Sequence, residues 1–144
     1  MVNRTFRLVR GVGIDTFGAM IMPERTHVET IEEWLELPEL PMPTESENED
    51  GVIYRVLKAG YFAAKPSDCK KKNLKSEPNP TGKCFLPTTY VEEKDGTRQL
   101  YRLPISLEPW ATDLVALAHM ENTKLLPSEV RFGRIGDKAW AEFV

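Results

Sequence analysis

Four residues are of metal-ligating type: Cys69, Cys84, His27 and His119. A Cys₂His₂ zinc site would take all four, because Zn²⁺ prefers a tetrahedron of thiolate and imidazole donors. The short Cys–Cys and His–His intervals of such sites are absent, so the expectation is neither metal nor cofactor. Cys69 precedes Lys70-Lys71-Lys72, whose charge would favour the nucleophilic thiolate. No histidine stands beside it in sequence to act as a base. A disulfide between Cys69 and Cys84 would close the lysine-rich stretch between them. Two cysteines are too few for a disulfide scaffold, and in a reducing compartment both read as free thiols.

Other catalytic patterns fail in the same way. There is no Gly-x-Ser-x-Gly elbow, and Ser67, Ser76 and Ser106 sit in no recognised context. Gly11-Val12-Gly13 starts a dinucleotide fingerprint, but Thr16 stands where the third glycine belongs, and the residues after it read as strand. Glu32-Glu33 and Glu92-Glu93 read as solvated faces. No catalytic residue is assigned, and the reading leans away from an enzyme.

Charge carries more information. The net charge is −3, but residues 24–50 hold ten acids against one arginine, and residues 51–83 hold eight bases against two acids. Such asymmetry concerns partners and solubility, not fold. The acidic stretch suits a basic surface on a protein partner. Its candidate contacts are Glu29, Glu32, Glu33, Glu36, Glu45, Glu47, Glu49 and Asp50, with Leu40 and Met42 as apolar anchors among the prolines. Complementary charge of this kind mainly speeds association. The basic stretch suits nucleic acid through Lys70, Lys71, Lys72 and Lys75, joined by Arg4, Arg7 and Arg10, which could neutralise several phosphates. Aromatic interleaving for base stacking is absent between Lys65 and Lys83. The two stretches could also pair with each other, within one molecule or between copies.

These groups need elements to position them. The clearest is a hairpin over Lys83–Leu107, with strands on both sides of Asp95-Gly96, a strong turn signal because Gly takes positive φ without a Cβ clash. Val130–Ile135 and Ala139–Val144 form a second hairpin around Gly136-Asp137, with Gly in the first turn position as type II′ requires. Arg4–Ile14 and Thr16–Met22 read as two strands with a glycine-bearing bend. Val52–Ala64 has strand character, with Gly60 as a candidate bulge. Thr26-His27-Val28-Glu29 reads as a capping box opening a helix with Val28, Ile31, Trp34 and Leu35 on its apolar face. Pro38 ends that helix. A second helix begins at Pro109, with Trp110, Leu114, Leu117 and Ala118 on one face, and frays near Asn122. Residues 38–50 and 65–83 read as two long loops, acidic and basic, of a length that is usually functional or disordered.

The chain of 144 residues is therefore expected to be one domain over residues 1–144. Its expected class is α+β, a mainly antiparallel sheet of about three β-hairpins with two α-helices packed on it. Trp34, Phe85 and Trp110 are the expected core aromatics. No apolar run approaches the ~20 residues of a membrane span, and Met1–Arg7 has no apolar stretch behind it, so neither membrane nor secretory signal is expected. The leading functional expectation is a cytoplasmic, non-enzymatic regulator or inhibitor that docks on a larger macromolecular machine through the acidic helix and loop. The alternatives are a self-assembling structural subunit of a viral or phage particle, located in the virion, and a nucleic-acid-binding protein using the lysines.

Overall fold

The computed structural model describes residues 25–43, 50–120 and 125–144. The class is α+β. Five strands form one antiparallel sheet in the order β3-β2-β1-β4-β5. The strands are β1 (Val52–Ala64), β2 (Cys84–Glu92), β3 (Arg98–Arg102), β4 (Ser128–Ile135) and β5 (Lys138–Phe143). Three α-helices accompany them among the described residues: α1 (Ile31–Glu36), α2 (Pro66–Lys71) and α3 (Glu108–Ala118), the last entered through a 3₁₀ turn at Ile105–Leu107.

The sheet is buried on both faces along β2, where every residue from Leu86 to Val91 is buried. Alternate side chains of a strand point to opposite faces, so β2 serves two cores. One holds Leu86 and Tyr90 with Val28, Ile31, Trp34 and Leu37 from α1 and its flanks, and with Cys69 of α2. The other holds Val91, Val56, Val130 and Phe132 with Leu103, Leu107 and the half-buried Trp110. Trp110 meets the Phe132 ring edge-on, with centroids 5.4 Å apart.

Both expected hairpins are present. In β2–β3 the connection is Glu93–Thr97, with Gly96 at φ 90° and the Asp95 carboxylate accepting from the Thr97 amide at 3.0 Å and the Thr97 hydroxyl at 2.6 Å. In β4–β5, Ile135 pairs with Lys138 and Gly136 takes φ 64°, while Asp137 keeps a negative φ, as type II′ requires. Gly133 lets the Trp140 ring lie on the backbone: a Cβ there would come within 2.4 Å of the indole. The expected N-terminal hairpin, residues 4–22, lies outside the described residues, as does the expected fraying at Asn122.

Four expectations are corrected. The helix cap is Thr30, not Thr26: the Thr30 hydroxyl accepts from the Glu33 amide at 3.0 Å, and the Glu33 carboxylate accepts from the Glu29 amide at 2.8 Å. Both sets have the residue types of a capping box, and the one placing Ile31 and Trp34 in the core prevails. The β1 irregularity falls between Val56 and Lys58, not at Gly60. Residues 65–83 are not wholly loop, because Pro66 opens α2 and Asn73, at φ 59°, helps end it.

Finally, Pro38–Pro43 is a strap and not a free loop. Glu39 bridges Arg102 in parallel, the Leu40 amide donates to the Arg102 carbonyl at 3.1 Å and the Arg102 amide donates to the Pro38 carbonyl at 3.0 Å. The strap therefore pairs with the outer edge of β3 at its last residue, Arg102, on an edge that would otherwise invite another strand. It continues to Tyr54, whose hydroxyl donates to the Pro41 carbonyl at 2.7 Å. The Glu39 carboxylate also reaches Arg134 of β4 at 3.6 Å.

Candidate functional site

The acidic surface begins with the burial of Trp34. Its ring is buried at 3% exposure, its indole N–H donates to the Pro87 carbonyl at 3.0 Å, and the Arg102 guanidinium stands 5.7 Å from the ring centroid. Ile31 and Leu37 are buried beside it. With that side inward, helical spacing turns Glu32 and Glu36 outward, and Glu29 precedes them at the helix entrance. All three are exposed.

The remaining candidates separate into different roles. Glu33 is half-buried and spent on the cap. Asp50 is exposed, but it lines a different groove at the start of β1, with Glu92, Glu93 and Glu129. Leu40 and Met42 are corrected outright: at 0% and 7% exposure they belong to the second core, so the strap consumes the apolar side chains expected to anchor a partner. Glu45, Glu47 and Glu49 lie outside the described residues.

The basic candidates come to the same neighbourhood. Lys70 and Lys71 of α2 are exposed, as are Lys72 and Lys75 beyond it. Lys72 approaches the Glu32 carboxylate at 3.9 Å, and a cavity between α1 and α2 is lined by Glu29, Glu32, Asp68, Lys71 and Lys72. The expected pairing of the two charged stretches within one molecule is thus present at one exposed contact. Such a pair contributes about 0–1 kcal/mol, so it neutralises neither stretch. Arg4, Arg7 and Arg10 lie outside the described residues.

The groups of potential catalytic type are dispersed. His27 and Glu29 form an exposed pair at 3.2 Å, and His119 caps the end of α3. Among the described residues no group of three or more His, Cys, Asp or Glu is placed to hold a metal ion. Cys69 and Cys84 are free and buried, and the Cys84 thiol reaches the Ser76 carbonyl at 3.4 Å. Burial, followed by the neighbouring Cys84, pushes the Cys69 thiol up to about 11, away from the thiolate that Lys70–Lys72 would favour. The lysine side chains are solvated while the sulfur is enclosed, so burial dominates.

One polar surface was not legible from sequence. The groove at the start of β1, about 1050 Å³, is walled by Arg55, Glu92, Glu93, Glu129 and Arg131 among others. Glu92 is flanked by Arg55 at 3.3 Å and Arg98 at 3.5 Å. At its side the Tyr101 hydroxyl donates to Glu93. Burial, then that carboxylate, raise the Tyr101 pKa. These charges come from four strands, β1 to β4, and only the strand register brings them together. Among the described residues no helix is long and apolar enough to cross a membrane.

Comparison with protein-family models, curated proteins and solved structures gives no match.

Proposed function

We propose that the protein is a non-enzymatic binding protein that docks on a basic surface of a larger protein assembly and regulates or inhibits it. The observation that carries this reading is the set of exposed carboxylates Glu29, Glu32 and Glu36, on a short helix and its entrance, which Trp34 pins to the sheet. A fixed array of like charge raises the encounter rate with an oppositely charged surface, and salt screens it over about 8 Å at physiological ionic strength. The acidic residues 44–50 extend the same charge along the chain. Leu40 and Met42 are withdrawn from this interface because the core holds them.

The test is a pull-down with the tagged full chain from nuclease-treated lysate, comparing wild type with Glu29→Lys/Glu32→Lys/Glu36→Lys. A protein partner retained at low salt, weakened by added salt and lost with the triple reversal supports the reading. Unchanged retention of that partner by the variant overturns it.

A second reading is supported by the exposed Lys70, Lys71 and Lys75, which could follow a phosphate backbone. It would appear as nuclease-sensitive capture with a steep salt dependence. Self-assembly as a structural subunit would appear as recovery of many copies of the chain itself.

A further inference from the structure

Cys69 and Cys84 come from different elements and end in the same place. Ala64, the last residue of β1, pairs with Cys84, the first residue of β2. Lys65 links β1 to α2, and the Cys69 amide donates to the Lys65 carbonyl at 3.1 Å, so Cys69 lies one helical turn beyond that pair. Both cysteines enter the core that also holds Ala64 and Leu86. Both are free thiols, at 2% and 1% exposure. Cys84 also adds to the upward shift of the Cys69 thiol, so the two groups are near enough to interact.

The segment beside the two sulfurs is weakly held. Residues 72–83 join α2 to β2, and apart from its prolines Leu74 is the one apolar side chain it carries. Leu74 packs half-buried against the same core. The Leu74 amide donates to the Cys69 carbonyl at 2.9 Å, and the Cys84 thiol donates to the Ser76 carbonyl at 3.4 Å. A segment with so few buried apolar contacts opens locally at far less cost than the sheet, and its opening breaks the contacts to both cysteines at once.

We propose that Cys69 and Cys84 form a redox modification site: a small-molecule disulfide of the glutathione class oxidises them to an intramolecular disulfide that clamps α2 to β2. One protein thiolate attacks a sulfur of the reagent, forming a mixed disulfide and releasing one glutathione thiolate. The second protein thiolate attacks the protein sulfur of that mixed disulfide, which forms the Cys69–Cys84 bond and expels the second glutathione. The protein loses two electrons and two protons, and the reagent gains them as two thiols. Burial keeps the sulfurs away from the reagent while the protein is closed, so the opening of residues 72–83 sets the rate. The bond fixes the end of α2 that carries Lys70 and Lys71, whichever partner α1 meets.

The experiment incubates the full chain with oxidised glutathione in native buffer until the products no longer change, and reads them by intact and peptide mass spectrometry. The expected product is a monomer lighter by two hydrogens, with the Cys69 and Cys84 peptides joined. A disulfide across so short a loop should raise the urea midpoint by roughly 1 M or more. Leu74→Ala, checked for its fold by circular dichroism, should oxidise about fivefold faster or more. Persistent glutathione adducts, disulfide-linked dimers or two unchanged thiols overturn the proposal. So does a lower midpoint, which would mean that closing the bond distorts the core. An unchanged oxidation rate in Leu74→Ala overturns the gating by residues 72–83. If that variant loses the fold, the wild-type products and midpoint decide.

Discussion

Trp34→Ala removes the side chain on which the placement of the acidic helix depends. The indole is 3% exposed and is enclosed by Ile31, Leu37, Leu86 and Leu100 of the same core. Truncation to alanine loses the transfer energy of a large ring and leaves a cavity, about 3–5 kcal/mol for a buried aromatic. That is a large share of the roughly 5–15 kcal/mol that holds a domain together. Trp34→Phe separates the contributions. Phenylalanine keeps most of the burial and loses the bond to the Pro87 carbonyl, about 0.5–1.5 kcal/mol. That carbonyl still accepts from the Leu103 amide at 3.0 Å, so no acceptor is orphaned. The total for phenylalanine is about 1–2 kcal/mol once its smaller volume is included. Urea unfolding followed by far-ultraviolet circular dichroism measures both variants. With a slope of about 1–3 kcal/mol per molar, the alanine variant shifts the midpoint by roughly 2 M. A loss under about 1 kcal/mol for alanine would refute the packing of α1 on the sheet, and with it the fixed array Glu29–Glu32–Glu36. Equal losses for the two variants would refute the statement that ring burial, rather than the indole hydrogen bond, holds the helix.

Leu40→Ala should cost about 2–5 kcal/mol in the same unfolding assay, because Leu40 is fully buried; a cost near zero would return it to the surface as a docking residue. Gly133→Ala should cost about 1–3 kcal/mol, since the new Cβ meets the Trp140 ring at 2.4 Å, and an unchanged midpoint would mean that the ring lies elsewhere. Both thiols should react slowly with a disulfide reagent at pH 8 in the folded protein and fast in urea, because both are buried; a fast native thiol contradicts this. The raised Cys69 pKa also fixes a pH slope. Between the ordinary thiol value near 9 and about 11, the unfolded chain gives up a proton that the folded chain keeps, so stability should fall as pH rises through that window. Urea midpoints at several pH values across it would show the fall, and a rise would refute the direction.

The parts of the fold legible in the sequence are those set by neighbours along the chain. The two hairpins could be read because Gly96 and Gly136 supply the positive φ that their turns need. Trp34 could be read as core because Ile31 shares its helical face. Other features needed distant partners. The Thr26 and Thr30 caps are equivalent by residue type, and only the docking of Ile31 and Trp34 onto β2 separates them. The strap Pro38–Pro43 looks extended and solvated in isolation. Its burial comes from the unpaired backbone of β3, which is more than 50 residues further along. The β1 irregularity was placed at Gly60 because glycine commonly marks bulges. The shift instead falls where β1 leaves its pairing with β4.

Among the described residues, the acidic and basic stretches meet on the surface at one exposed contact. The −9 and +6 stretches run consecutively, and folding sets α1 beside α2, with Glu32 and Lys72 3.9 Å apart. Any partner attracted to the carboxylates of α1 therefore meets the lysines of α2 next to them. This makes a prediction that net charge alone would not. Lys70→Glu/Lys71→Glu should strengthen retention of a basic partner, by removing repulsion beside its landing site, and should leave the urea midpoint nearly unchanged, because exposed charges away from a paired contact contribute little to stability. If the same variant instead abolishes binding, the lysines themselves make the contact, and the partner surface is acidic or nucleic acid.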